Sequence, residues 1–95
     1  MSAMAAISAA SSPALRRGVR QHFDTVRGAP ILQAPERVVV LDDIALAIIE
    51  LCDGRTSIAA MSEILAARFA GEAAEVEADV LAFIGELADK GLVSA

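Results

Sequence analysis

The chain has no tryptophan, no tyrosine, one cysteine, one histidine and three prolines in 95 residues. Each scarcity excludes something. A single cysteine, Cys52, rules out an internal disulfide and a multi-cysteine metal site. It stands in an apolar helical stretch without a basic neighbour, so it reads as a small buried hydrophobe and not as a reactive thiol. The lone His22 has no Cys or second His at ligand spacing, and no nucleophile or orienting group beside it. No metal, no cofactor and no His-based acid–base chemistry is therefore expected. The serines fall in the N-terminal stretch (Ser2, Ser8, Ser11, Ser12), on a helix (Ser57, Ser62) or at the end (Ser94), none in a strained elbow. Gly18, Gly28, Gly54 and Gly71 are isolated turn glycines, so there is no phosphate-cradling loop. No apolar run approaches the ~18 residues of a membrane span.

What is present is apolar but small. The hydrophobic fraction is 56%, and the core has to rest on Ile, Leu, Val and Phe23, Phe69 and Phe83. The length suits one small domain. Met1 to Ser12 is rich in Ala and Ser and lacks the positive start and long apolar centre of a signal peptide. We expect a disordered tail over 1–14, one domain over 15–95, and a cytoplasmic protein. The net charge of −5 hides an asymmetry. Residues 1–41 carry five Arg against Asp24 and Glu36, a net of +3; residues 42–95 carry Arg55, Arg68 and Lys90 against eleven acids, a net of −8. Such polarity orients a partner, or simply forms a solvated helical face.

Periodicity divides the chain. Val19 to Phe23 alternates as a strand, with Arg27-Gly28 in the following turn. Ile31 to Gln33 continues as a second strand, and Pro30, which has no amide donor, fits its start or an edge. After a turn at Ala34-Pro35-Glu36, the β-branched run Val38 to Leu41 is the clearest strand. Helical spacing begins at Asp42 or Asp43, either able to cap. Ile44, Ala45, Ile48, Leu51 and Cys52 share one face, and Asp53-Gly54 ends that helix. Thr56 or Ser57 caps a second helix with Ile58, Met61, Ile64, Leu65 and Phe69 on its stripe, broken at Gly71. A third begins near Ala74, with Glu75, Glu77 and Asp79 complementing its dipole, Val76, Val80, Phe83, Ile84 and Leu87 as its stripe, and Lys90-Gly91 at its end. Leu92-Val93 turns back. The expectation is an α+β domain: a three-stranded antiparallel sheet followed by three helices, in a winged helix-turn-helix-like plan. The acids Glu72, Glu75, Glu77 and Asp79 lack the spacing of a calcium loop. A DNA-binding role fits poorly, because the third helix carries Glu75, Glu77, Asp79, Glu86 and Asp89 against Lys90 alone.

The order Gly18-Val19-Arg20, Pro35-Glu36, Val38-Val39, Leu41-Asp42, Leu51 with Asp53-Gly54, Asp79-Val80 and Gly91-Leu92 resembles the pyrroloquinoline quinone (PQQ) biosynthesis protein D family, PqqD, from about Pro13 to Val93. The chain departs from the family at Phe23, where some members carry Trp, and at Ser62, where an apolar residue is usual. The resemblance implies a protein that is not an enzyme but a peptide chaperone. It binds the ribosomally made PQQ precursor peptide and presents it to a radical S-adenosylmethionine (SAM) enzyme that crosslinks a Glu and a Tyr. It also implies that the peptide adds as a strand beside the third strand and lies against the third helix. Carried onto this sequence, the site is Val38, Val39, Val40 and Leu41 with Val80, Phe83, Ile84 and Leu87, of which at least half are expected to be plain core. An exposed edge at Val38 to Leu41 also suits pairing between copies, as a homodimer. A subunit-assembly or regulatory interaction domain is the alternative function.

Overall fold

The computed structural model describes residues 7–95. Its elements run β1 (Ala14–Leu15), β2 (Arg20–Asp24), β3 (Ala29–Ala34), β4 (Arg37–Val40), α1 (Asp43–Glu50), α2 (Ile58–Phe69), α3 (Ala73–Asp89) and β5 (Val93–Ser94). Strands β2, β3 and β4 form an antiparallel meander in that order. The strand expected as third is thus β4, because the short β1 precedes the meander.

Local chemistry explains the boundaries. Asp42 caps α1, its carboxylate accepting from the Ala45 amide at 2.8 Å. Ser57 caps α2 by accepting from the Ala60 amide at 3.1 Å. Glu72 precedes α3 without a side-chain cap. The end of α2 departs from expectation: the left-handed residue is Ala70, at φ 57°, and Gly71 follows it. A Cβ on Gly71 would stand 3.1 Å from Val76 Cγ2, so close packing, not backbone freedom, accounts for that glycine. Between α1 and α2, Asp53 Oδ1 accepts from the Arg55 and Thr56 amides, each at 2.8 Å. These hydrogen bonds hold its carboxyl below the usual range.

The core is one cluster. Leu32 and Leu41 bring the sheet to it, Ile48 and Ile49 come from α1, Ile58, Met61 and Leu65 from α2, Val80, Ile84 and Leu87 from α3, and Leu92 and Val93 from the C-terminal return. Ser62 is buried among them, and its hydroxyl donates to the Ile58 carbonyl at 2.7 Å. A hydroxyl satisfied within its own helix lowers the cost of burying it in an apolar interior.

The N-terminal expectation is corrected. Residues 7–14 are not a disordered tail; the part of that expectation covering 1–6 lies outside the described residues. β1 pairs antiparallel with β5, joining Ala14 to Ser94 and Leu15 to Val93. The carbonyls of Ala9, Ser11 and Pro13 accept from the amides of Ala59, Ile58 and Gly54, at 2.9, 2.8 and 2.9 Å. Ile58, Ala59 and Ala60 are the opening residues of α2, whose amides have no partner inside the helix. The N-terminal segment takes two of them and Ser57 the third. Deleting residues 1–15 removes these bonds and β1, and should cost about 2–4 kcal/mol, a fall in Tm of roughly 10 °C or more. A thermal melt unchanged by the deletion would contradict the tertiary-cap reading.

Candidate functional site

The site begins with hydrogen-bond phase. The Leu41 amide donates to the Pro30 carbonyl at 3.0 Å. The register pairs Ile31 with Val40, Leu32 with Val39, Gln33 with Val38 and Ala34 with Arg37. In an antiparallel ladder, bonded and non-bonded pairs alternate. Arg37, Val39 and Leu41 therefore turn their amides and carbonyls toward β3. Val38 and Val40 turn theirs outward, where no strand follows β4. Their side chains stand clear as well, at 41% and 57% exposure. β2 is the other outer strand, but the apolar cavities described next adjoin the exit of β4.

Two cavities open there. One, of about 240 Å³, is lined by Asp42, Ile44, Ala45, Ile48, Asp79 and Phe83. The other, of about 70 Å³, is lined by Ile44, Ile48, Leu65, Phe69, Val76, Asp79 and Val80. They share Ile44, Ile48 and Asp79, so they form one groove between α1 and α3 with a branch toward α2. Ile44 is 52% exposed, and with Phe83 and Phe69 around the groove it forms part of an apolar lining.

The residues expected at the site separate into layers. Val38 and Val40 are open, and Phe83 is half-buried at the rim of the larger cavity. Val39 packs half-buried against the core, and Leu41 is buried in it. Val80 is nearly closed but forms part of the floor of the smaller cavity. Ile84 and Leu87, at 0% and 2% exposure, are core side chains below the surface. Sequence reasoning missed Ile44 and Phe69, which it placed on buried stripes, and Asp42 and Asp79, which it read as cap and dipole complement. The available signal was the apolar excess of α1: Ile44, Ala45, Leu46, Ala47, Ile48 and Ile49 are more than one face can bury.

The family model for coenzyme PQQ synthesis protein D (PqqD) matches residues 31–93. The chain belongs to this family. It is 43% identical over 88 residues to the PqqA binding protein of Rhodopseudomonas palustris strain BisB5, covering 93% of this chain and 86% of that one. It is 47% identical over 90 residues to the PqqA binding protein of Xanthomonas campestris pv. campestris strain 8004, covering 95% and 98%. Among solved structures it is similar to the PqqD truncation of Methylobacterium extorquens PqqCD, at a TM-score of 0.82 and 39% identity over 97% of this chain and 98% of that one. That protein is described as a functional, stand-alone recognition element for ribosomally synthesised and post-translationally modified peptides. The crystal structure of PqqD from Xanthomonas campestris gives a TM-score of 0.60 at 46% identity, over 94% and 99%. The PqqD fold of an antiparallel three-stranded sheet with three helices is the one observed here.

The remaining ionisable groups bear on chemistry. Cys52 is buried and its thiol donates to the Ile48 carbonyl at 3.4 Å. Burial, and secondarily the charge of Asp53, push its pKa up to about 12. Among the described residues no three His, Cys, Asp or Glu are placed to hold a metal ion, and no helix is long and apolar enough to cross a membrane. Folded protein at pH 8 should resist iodoacetamide and should label fully in denaturant. Fast stoichiometric labelling of the native chain would refute the inert assignment.

Proposed function

We propose that this protein binds the ribosomally made PQQ precursor peptide, PqqA, as an added strand on the β4 edge, and presents it to the radical SAM enzyme that crosslinks its Glu and Tyr. The observation that carries the reading is the outward-facing backbone of Val38 and Val40, set beside a groove that leaves Ile44 exposed and Phe83 half-buried at its rim. Free amides and carbonyls along an edge are a template for an extended peptide, and alternate side chains of that peptide then need pockets. Relatives 43–47% identical are named for binding PqqA, which supports the same ligand here. Val38, Val40 and Phe83, with Ile44, make the contacts; Val39, Leu41, Val80, Ile84 and Leu87 support them from below. The protein acts by binding alone. Its contribution to the reaction is to hold the peptide extended and to raise its concentration at the enzyme.

Proline scanning tests the edge. Proline removes the amide and fixes φ. Val38→Pro and Val40→Pro take away outward amides and spare the native ladder, so each should weaken PqqA binding at least about tenfold with the fold retained. Val39→Pro breaks the bonded pair with Leu32 and should destabilise the protein itself. Normal affinity in a folded Val40→Pro variant would place the peptide elsewhere. Side chains give a second contrast. Phe83→Ala should cost about 1–3 kcal/mol of binding and lower Tm by less than Ile84→Ala, since its ring is only half-buried against the core, whereas Ile84→Ala should cost about 2–5 kcal/mol of stability. Calorimetric titration and thermal melts on the same samples separate the two.

A second copy of the chain offers the same edge. Strand pairing between copies through β4 would occupy the outward groups of Val38 and Val40, so peptide and self-association should compete. Sedimentation at increasing concentration, with and without PqqA, should show a dimer that peptide converts to monomer. A dimer indifferent to saturating peptide would exclude β4 as its interface.

A further inference from the structure

The acidic half of the chain has a place in this groove. On α3, Glu75, Asp79, Phe83 and Glu86 follow one another at spacings of four, four and three, so they share one helix face. Asp79 and Phe83 both line the larger cavity, so that face is the one turned to the groove. Glu75, Asp79 and Glu86 are exposed. Across the cavity stands Asp42, which begins α1. Among the described residues the one ion pair is Arg27 with Asp24, on the β2–β3 turn, so no side chain neutralises these carboxylates. No three acidic groups are placed to hold a metal there either. No Lys, Arg or His lines either cavity. Arg68 lies over the Phe69 ring at 5.3 Å, and Phe69 lines only the smaller branch. At the hairpin end of β4 the first residue is Arg37. Arg37 shares a cavity there with Arg17 and Lys90 against the single acid Glu36, so the potential along the edge has a direction: positive at the start of β4 and negative where β4 hands over to α1.

We infer that the groove selects a peptide segment carrying a Lys or Arg next to an apolar anchor, the anchor entering the Ile44–Phe83 cavity and the cation lying between Asp42 and Asp79. This rests on the peptide-binding reading and adds to it the chemistry by which one peptide is preferred. Strand addition by backbone hydrogen bonds is indifferent to sequence, and an apolar pocket accepts any side chain of suitable size. Two carboxylates stand beside that pocket with no cationic side chain on them, Asp79 and the Asp42 oxygen that the α1 cap leaves free, and they discriminate, because they favour a cation and repel an acid at the adjoining peptide position. The positive start of β4 then disfavours the reversed placement, so the same charges fix peptide register.

The test uses synthetic PqqA from Xanthomonas campestris, whose relative of this chain is named for binding it. Every Lys and Arg that its sequence holds is replaced in turn by Gln, a peptide without either that still binds counting against the inference, and binding is titrated against wild-type protein, Asp42→Asn/Asp79→Asn and Asp79→Lys. Asn at 42 retains a capping side chain, and circular dichroism checks the fold of every variant. The expected result is that one cation replacement weakens binding about threefold to tenfold. The double Asn variant should lose the same factor and be insensitive to that replacement, and Asp79→Lys should lose more. Raising salt from roughly 0.05 to 0.5 M should weaken wild-type binding and leave the double variant nearly unchanged. If PqqA binds, is lost in Val40→Pro, and is indifferent to every cation replacement and to both carboxylates, the selectivity inference is wrong while the peptide-binding reading stands. If PqqA does not bind folded wild-type protein at all, both are overturned.

Discussion

The hydrogen bond from the Leu41 amide to the Pro30 carbonyl sets the phase of everything around it. Strand side chains and backbone groups alternate with period two, so one anchored pair fixes all the others. With Leu41 bonded inward and its side chain in the core, Val39 follows it inward and Val38 and Val40 are left outward. A slip of one residue would bury Val38 and Val40, expose Leu41 and Val39, and reverse which amides face the open edge. The same bond lies where the sheet hands over to α1, one residue before the Asp42 cap. Pro30 fits here because the amide it lacks would have faced the last ladder position of β4, where the chain is already leaving the sheet. The core, the free edge and the mouth of the groove are thus consequences of one register.

A second constraint closes the other side of the molecule. Helix α2 begins in the interior, with Ile58 fully buried, so its orphan amides cannot be left to water. Ser57 reaches one of them. The carbonyls of Ser11 and Ala9 reach two more, and Pro13 binds Gly54 in the preceding loop. Gly54 holds φ at 77°, a conformation that side chains rarely adopt, so the backbone of this loop calls for glycine, while a Cβ there would stand in contact with Ala14 at 3.4 Å. The chain therefore uses β1 and β5 to seal the helices. That arrangement leaves the β4 edge of the three-stranded sheet and the neighbouring helix pair free to do something else.

Local signals made the three long strands, three helices and two caps legible in the sequence, because alternation, β-branching and Asp or Ser before an apolar run act over a few residues. β1 and β5 were not legible: two-residue strands have no period, and their pairing joins residues some eighty positions apart, Ala14 with Ser94. The docked segment before them has no apolar pattern because it contributes backbone carbonyls, which every sequence has. At the site, position was legible and depth was not. Helical spacing correctly put Val80, Phe83, Ile84 and Leu87 on one side of α3, but a stripe that wide spans from the core at Ile84 to the rim at Phe83. Ile44 was assigned to the core because isoleucine usually belongs there. It is exposed because α1 carries more apolar residues than the interior can accept, and that surplus is spent on the groove.

That surplus links recognition to stability. With three phenylalanines and no larger aromatic, the domain leaves Ile44, Val38, Val40, Phe69 and part of Phe83 outside its core around the groove, and Phe23, Val26 and Ile64 outside it elsewhere. Covering apolar surface is the main favourable term in both folding and association. A fourth strand laid on β4 would satisfy the outward groups of Val38 and Val40 and cover Ile44 and Phe83 at once, extending the sheet by the same rules that built it. The bound state is then the more completely folded one, and any ligand specific for it raises the stability of the whole chain in proportion to the logarithm of its concentration over Kd. The acidic face of α3 has no part in that gain. Its carboxylates neither pack nor pair within the fold, and their effect falls on which segment is allowed to complete the sheet.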